Sequence, residues 1–233
     1  MLHNFKIKLS MKKVLLSAVA LVAFTFANAQ EGEAKEFGFS KGNIMLEGNL
    51  GFSSSTETNS DNTGDLDETK TSSFEFNPKA GYFVTDKLAV GVELMVGSGK
   101  SEVTVFGTPN VTTENTNNSF GAGIFARYYF LELGQRFKTY AEAGLGFGGK
   151  KWESNGTETR KDANFGLGID LGINYFVTKK MAINFGLANV LGFNSTKSEF
   201  PGGDETVTSG VNGNFNIFNN FFDTPTFGLT YKF

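Results

Sequence analysis

Nine charged residues interrupt stretches that are otherwise apolar or small. They are the acids Glu47, Glu75, Glu93, Glu142 and Asp170 and the bases Lys79, Arg127, Lys138 and Lys232. Each falls on the polar phase of a period-two alternation, which sets them all on one side of extended strands. Carboxylates paired in a secluded place could do general acid–base work. They could equally be neutralised by the four bases, because charges withdrawn from water persist only when paired. Opposite signs on facing strands, with many glycines to make room, favour an ion-pair core over a reactive site. Composition limits the chemistry further: the only His, His3, lies upstream of the expected signal cleavage site and there is no Cys, so the mature protein is expected to have neither. Ser–His–Asp and Cys–His arrangements cannot be assembled without these residues, and ordinary zinc sites lack their usual ligands. Disulfides and an acylated lipobox cysteine are excluded as well. No catalytic, cofactor-binding or metal-binding residue is assigned, and no cofactor is expected.

The elements that position these charges are eight alternating segments, near 43–52, 73–84, 88–97, 119–130, 138–148, 163–176, 181–193 and 226–233. The third is the clearest, with Leu88, Val90, Val92, Leu94 and Val96 opposed to Ala89, Gly91, Glu93, Met95 and Gly97. The last sets Phe227, Leu229, Tyr231 and Phe233 against Gly228, Thr230 and Lys232. Each segment is close to the roughly 9–11 residues with which a tilted strand crosses a bilayer. An apolar phase that faces lipid, with a polar phase that faces an interior, is the pattern of a transmembrane β-barrel. With 29 Gly and only 4 Pro in 233 residues, the chain suits strands better than long helices. The predicted fold is all-β, a single eight-stranded antiparallel transmembrane barrel over 42–233, too narrow for an open pore once side chains fill it.

Connection lengths set the topology. Three are short: Thr85-Asp86-Lys87, about 131–137, and Thr178-Lys179-Lys180. Four are long and polar, near 54–72, 98–118, 149–162 and 194–223. Short periplasmic turns and long extracellular loops are the rule for outer-membrane barrels, which places both ends of the barrel in the periplasm. Tyr82, Tyr128, Tyr129, Tyr140, Tyr175 and Tyr231 sit beside the short turns or the last residue. They are expected to form an interfacial girdle there. Phe52, Phe120, Phe147, Phe165, Phe193 and Trp152 are expected to mark the opposite girdle. Asp61, Asp65, Asp67 and Glu68 cluster in the first long connection. Their spacing departs from the calcium-binding loop of EF-hands, so a solvated acidic loop is preferred to calcium binding. The aromatic run Asn214–Phe222 reads as an outward extension of the last strand, or else as a partner-binding patch.

The N-terminus carries Met11-Lys12-Lys13, an apolar run from Val14 to Phe26 and Ala27-Asn28-Ala29. That is the order of a secretory signal peptide, expected over 1–29, with Met11 an alternative start. A short periplasmic segment, 30–41, is expected to lead into the barrel. The formal charge is −3; four of the 21 basic residues lie in the first 30, which hold no acid, leaving 17 against 24 and a net −7. An acidic chain is not expected to bind nucleic acid.

The signal sequence, the near-copied turns Tyr82-Phe83-Val84-Thr85-Asp86-Lys87 and Tyr175-Phe176-Val177-Thr178-Lys179-Lys180, the glycine-rich strands and the terminal Tyr231-Lys232-Phe233 carry a resemblance. The chain resembles the small outer-membrane β-barrel domain family, the eight-stranded OmpA/OmpX-type barrels, from about 42 to 233. The resemblance implies an integral outer-membrane protein, with a terminal aromatic strand like the signal read by the outer-membrane assembly machinery. It implies lipid and lipopolysaccharide as surroundings, and it transfers no catalytic residue. The expected protein is a monomeric, non-enzymatic envelope or surface-interaction protein whose extracellular ligand stays unnamed. A small-solute channel is the alternative.

Overall fold

The computed structural model describes residues 37–61, 64–213 and 226–233. The signal peptide (1–29), most of the segment 30–41 and the run Asn214–Phe222 lie outside them. Nine strands run antiparallel among the described residues: β1 (Ile44–Asp61), β2 (Gly64–Phe83), β3 (Leu88–Val105), β4 (Val111–Leu133), β5 (Phe137–Ser154), β6 (Thr157–Phe176), β7 (Met181–Glu199), β8 (Glu205–Asn212) and β9 (Thr226–Lys232). Each of β1 to β7 pairs with the next, and β9 pairs with both β7 and β1, closing the sheet into a barrel. β8 continues the position of β9 outward, pairing with β7 from Gly192 to Glu199. The barrel therefore has eight staves, as the alternation predicts, with the last one built from two strands.

Strands β1 to β7 extend well beyond the alternating segments. β4 alone spans 23 residues. The stretches near 54–72, 98–118, 149–162 and 194–212 are not loops but extended hairpins projecting beyond the apolar band. Both faces of these hairpins are wet, so the hydrophobic alternation disappears while strand pairing continues. Ladders such as Ser53–Ser73 and Ser55–Thr71, each 2.7 Å, hold the two sides together. The third connection is closed by Asn155 (φ 48°) and Gly156 (φ 76°), a two-residue turn that needs left-handed backbone at both positions.

At the opposite end the two copied turns close alike. Thr85 Oγ1 accepts from the amides of Lys87 and Leu88, and Thr178 Oγ1 from those of Lys180 and Met181. The surface between the ends is inverted relative to a soluble protein. Phe52 is 82% exposed, Phe147 60% and Leu229 58%, whereas Glu47, Arg127 and Glu142 are buried. A continuous band of exposed large apolar side chains is stable only against lipid.

A buried ion-pair network as the candidate functional site

The inward phase of β1, β2, β3, β4 and β5 delivers Glu47, Lys79, Glu93, Arg127 and Glu142 into one connected network. Arg127 sits 1% exposed at its centre. Its Nη1 and Nη2 donate to Glu47 Oε2 (2.7 Å) and Oε1 (2.8 Å), while Nε donates to Glu142 Oε2 at 2.6 Å. The planar fork lets Arg127 grip both oxygens of Glu47 while its Nε holds Glu142, a fixed geometry that the single ammonium of a lysine does not offer. Lys79 extends the chain by pairing with Glu142 and with Glu93 at 2.9 Å. Strand register brings these partners together: Glu47 opposes Lys79, Lys79 opposes Glu93, and Arg127 opposes Glu142.

Two relays of neutral groups finish on Glu47. Tyr129 Oη donates to Asn174, Asn174 Nδ2 to Thr230, and Thr230 Oγ1 to Glu47 Oε2 (2.8 Å). Tyr140 Oη donates to Asn184, whose Nδ2 donates to the same oxygen at 2.6 Å. Arg127 also lies over the Tyr140 ring, 4.0 Å from its centroid. Each carboxylate oxygen of Glu47 and Glu142 thus has at least one donor, the condition under which a buried charge persists. Glycines supply the space. A Cβ on Gly172 would lie 2.2 Å from the Tyr140 ring, and one on Gly123 would lie 2.7 Å from Glu93 Oε1.

Toward the short turns, a second layer seals the lumen. The chain before β1 folds back so that Phe39, 3% exposed, stacks on Phe83 at 4.2 Å and meets Tyr129 and Phe176 at 5.0 and 5.2 Å. Lys232 Nζ donates to the carbonyl of Gly38, and the Lys41 amide to Asp86. The described part of the expected leader, residues 37–41, is therefore integral to the barrel mouth. On the hairpin side of the network lies a cavity of about 530 Å³, lined by Glu75, Asn77, Glu93, Met95, Asp170 and Asn194 among others.

Of the nine charges read from the sequence, five form the network and four do not. Glu75 is exposed on the cavity wall, because the lumen is already wet at its height. Asp170 also lines the cavity and makes no ion pair among the described residues. Lys138 pairs with Glu132 (2.8 Å) at the short-turn rim, and Lys232 is committed to Gly38. The aromatic girdles need correcting too. Tyr129 and Tyr140 are 6% and 5% exposed and point inward, because they share the strand phase of Arg127 and Glu142. Trp152 shares the inward phase of β5 as well. It lies on a hairpin, donating Nε1 to Asp162 (2.7 Å) between Lys150 and Arg160. Burial pushes the Asp162 carboxyl up, but hydrogen bonds from Ser198 and Trp152 and the charge of Arg160 outweigh it, leaving it below its ordinary value.

The acids of the first connection are not gathered in a loop. Asp65 accepts from Ser60 and Asp67 from Asn59 across the hairpin, while Glu68 pairs with Lys70. Among the described residues no group of three His, Cys, Asp or Glu is placed to hold a metal. The neutral members of the network, Asn174, Asn184 and Thr230 with the two tyrosines, are not among the charges singled out from the sequence. All lie on the inward phase, so strand parity alone could have found them.

A closed eight-stave barrel, inverted in polarity and filled by an ion-pair core, is the architecture of a small integral membrane barrel. The chain belongs to the outer membrane protein beta-barrel domain family, which it matches over residues 16–233. No curated protein matches it. Among solved structures it is similar to the outer membrane protein OprG from Pseudomonas aeruginosa, at 16% identity and TM-score 0.44, covering 85% of this chain and 98% of that one. It is also similar to Neisserial surface protein A (18%, TM-score 0.40, 82% and 97% covered) and to the E. coli outer membrane protein W (16%, TM-score 0.41, 85% and 99%). Likenesses this distant carry nothing about what the chain binds.

Proposed function

We propose that the protein is a non-enzymatic outer-membrane barrel that holds rigid hairpins at the cell surface, with a structural or surface-interaction role. In this reading the short turns face the periplasm, the hairpins face outward among lipopolysaccharide, and the chain acts as a monomer. The observation that carries the reading is the double obstruction of the lumen, by the Arg127 network and by Phe39. A second reading, a small-solute channel, is favoured by the cavity of about 530 Å³ on the hairpin side.

Planar-bilayer recordings separate the two. The refolded protein is expected to show no steady ohmic opening, and a reproducible unit conductance would move the channel reading into first place. Orientation has its own measurement. Single cysteines replacing Asn155 or Asp204 are expected to react with a membrane-impermeant reagent on intact cells, and cysteines replacing Asp86 or Lys179 are not. Labelling at the turn positions would reverse the topology.

A further inference from the structure

The two ends of the barrel differ in how their basic residues are paired. On the hairpins the outward lysines are neutralised: Lys70 by Glu68, Lys100 by Glu102 and Glu114, Lys151 by Glu153, Lys161 by Glu158, and Lys197 by Glu199 and Glu205. The short-turn rim is built differently. Lys41, Lys87, Lys179, Lys180 and Arg136 are all exposed there, on the lead-in to β1 and on all three turns. Lys41, Lys87 and Lys180 make no ion pair among the described residues. Among the described residues, the rim's acidic side chains are Asp86, which accepts from the Lys41 amide, and Glu132, which pairs with Lys138. Among the described residues, basic side chains outnumber acidic ones at this end.

The turns that carry these cations are only a few residues long, and the cations sit directly beside the lipid-facing Tyr82, Tyr128 and Tyr231, which are 48%, 49% and 36% exposed. Tyrosines of this kind mark the headgroup level of a bilayer. Cations held at that depth face phosphates rather than the open aqueous phase. We infer that the short-turn rim is a docking ring for anionic glycerophospholipid headgroups, which Lys87, Lys179 and Lys180 engage through their phosphates. Under the topology proposed above these are lipids of the periplasmic leaflet. Clustered lysines at a membrane surface act in this way, and a soluble acidic polymer would have no reason to require cations within the tyrosine layer.

The test is lipid retention by the full folded barrel, measured by native mass spectrometry from detergent containing equal phosphatidylglycerol and phosphatidylcholine at low ionic strength. It does not depend on which way the barrel faces, so its failure is distinct from failure of the topology. The wild type is expected to retain phosphatidylglycerol preferentially, and added salt should remove that preference while leaving phosphatidylcholine unchanged. Each lysine removed should weaken retention about fivefold, so K87Q/K179Q/K180Q should lose on the order of a hundredfold. K151Q/K161Q/K197Q on the hairpins should retain the lipid as the wild type does. Equal retention of the two lipids by the wild type overturns the inference, as does equal loss in both triple variants. If lipid retention is indifferent to charge while soluble polyglutamate binds and K87Q/K179Q/K180Q abolishes it, the occupant is an acidic polymer and the inference fails. Should the rim variant not fold, the salt series on the wild type decides alone.

Discussion

Arg127→Met is expected to lower the stability of the refolded barrel by about 3–5 kcal/mol, read as a fall in its denaturation midpoint in detergent or vesicles. The size follows from what remains. Arg127 satisfies both oxygens of Glu47 and one of Glu142, and its loss leaves Glu47 buried with only Asn184 and Thr230 as donors. A carboxylate stranded out of water keeps its desolvation cost without its counter-charge. Lys197→Met is the control. Lys197 also bridges two acids, but its side chain is 42% exposed, so the change should stay within roughly 0.5 kcal/mol. Adding Glu47→Gln to Arg127→Met should recover part of the loss, since the stranded charge is then gone. A wide aqueous lumen predicts a different outcome: stability nearly untouched and ion selectivity altered. Midpoints for Arg127→Met and Lys197→Met that agree within error would contradict the packed interior.

Strand phase was the most legible property of the sequence. It identifies every residue of the network as inward, because a period of two leaves no ambiguity once one face is apolar. Strand length was not legible. Beyond the lipid both faces of a hairpin meet water, so Ser55 and Thr71 look like loop residues although they are paired. One local sign was available, since Asn155-Gly156 is the dipeptide a two-residue hairpin turn demands, and it marks 149–162 as strand–turn–strand. Tyr129 and Tyr140 show two rules in conflict. Their position near the short turns suggests the interface, while their parity places them inside. Parity prevails because the relays to Glu47 give each hydroxyl a buried partner. Which charges pair could not be read from parity, because partners depend on the height at which each strand crosses its neighbours. The register of β6 sets Asp170 opposite Glu142 rather than opposite a base.

The seal formed by Phe39 was the least visible feature, since Phe37-Gly38-Phe39 precedes any alternation and resembles a leader. Its removal should nevertheless be as costly as that of the central arginine. Truncating a buried phenylalanine to alanine loses about 3–5 kcal/mol, from transfer free energy and from the cavity left behind. Here the cavity would open among Phe83, Tyr129 and Phe176, which are held by separate strands and cannot close over it freely. Phe39→Ala is therefore expected to lower the denaturation midpoint as much as Arg127→Met. It should also expose residues 37–41 to protease, whereas Lys41→Ala should do neither. Conductance distinguishes the two obstructions, because they lie in series along the lumen. Phe39→Ala alone leaves the ion-pair network across the barrel and should stay electrically silent. The double variant Phe39→Ala/Arg127→Met removes both and should give openings that neither single variant shows. Tyr129 touches the aromatic layer and also lies within the network, so the two losses of stability should fall short of adding. A Phe39→Ala barrel with wild-type midpoint and protease resistance would return residues 37–41 to the role of a simple leader.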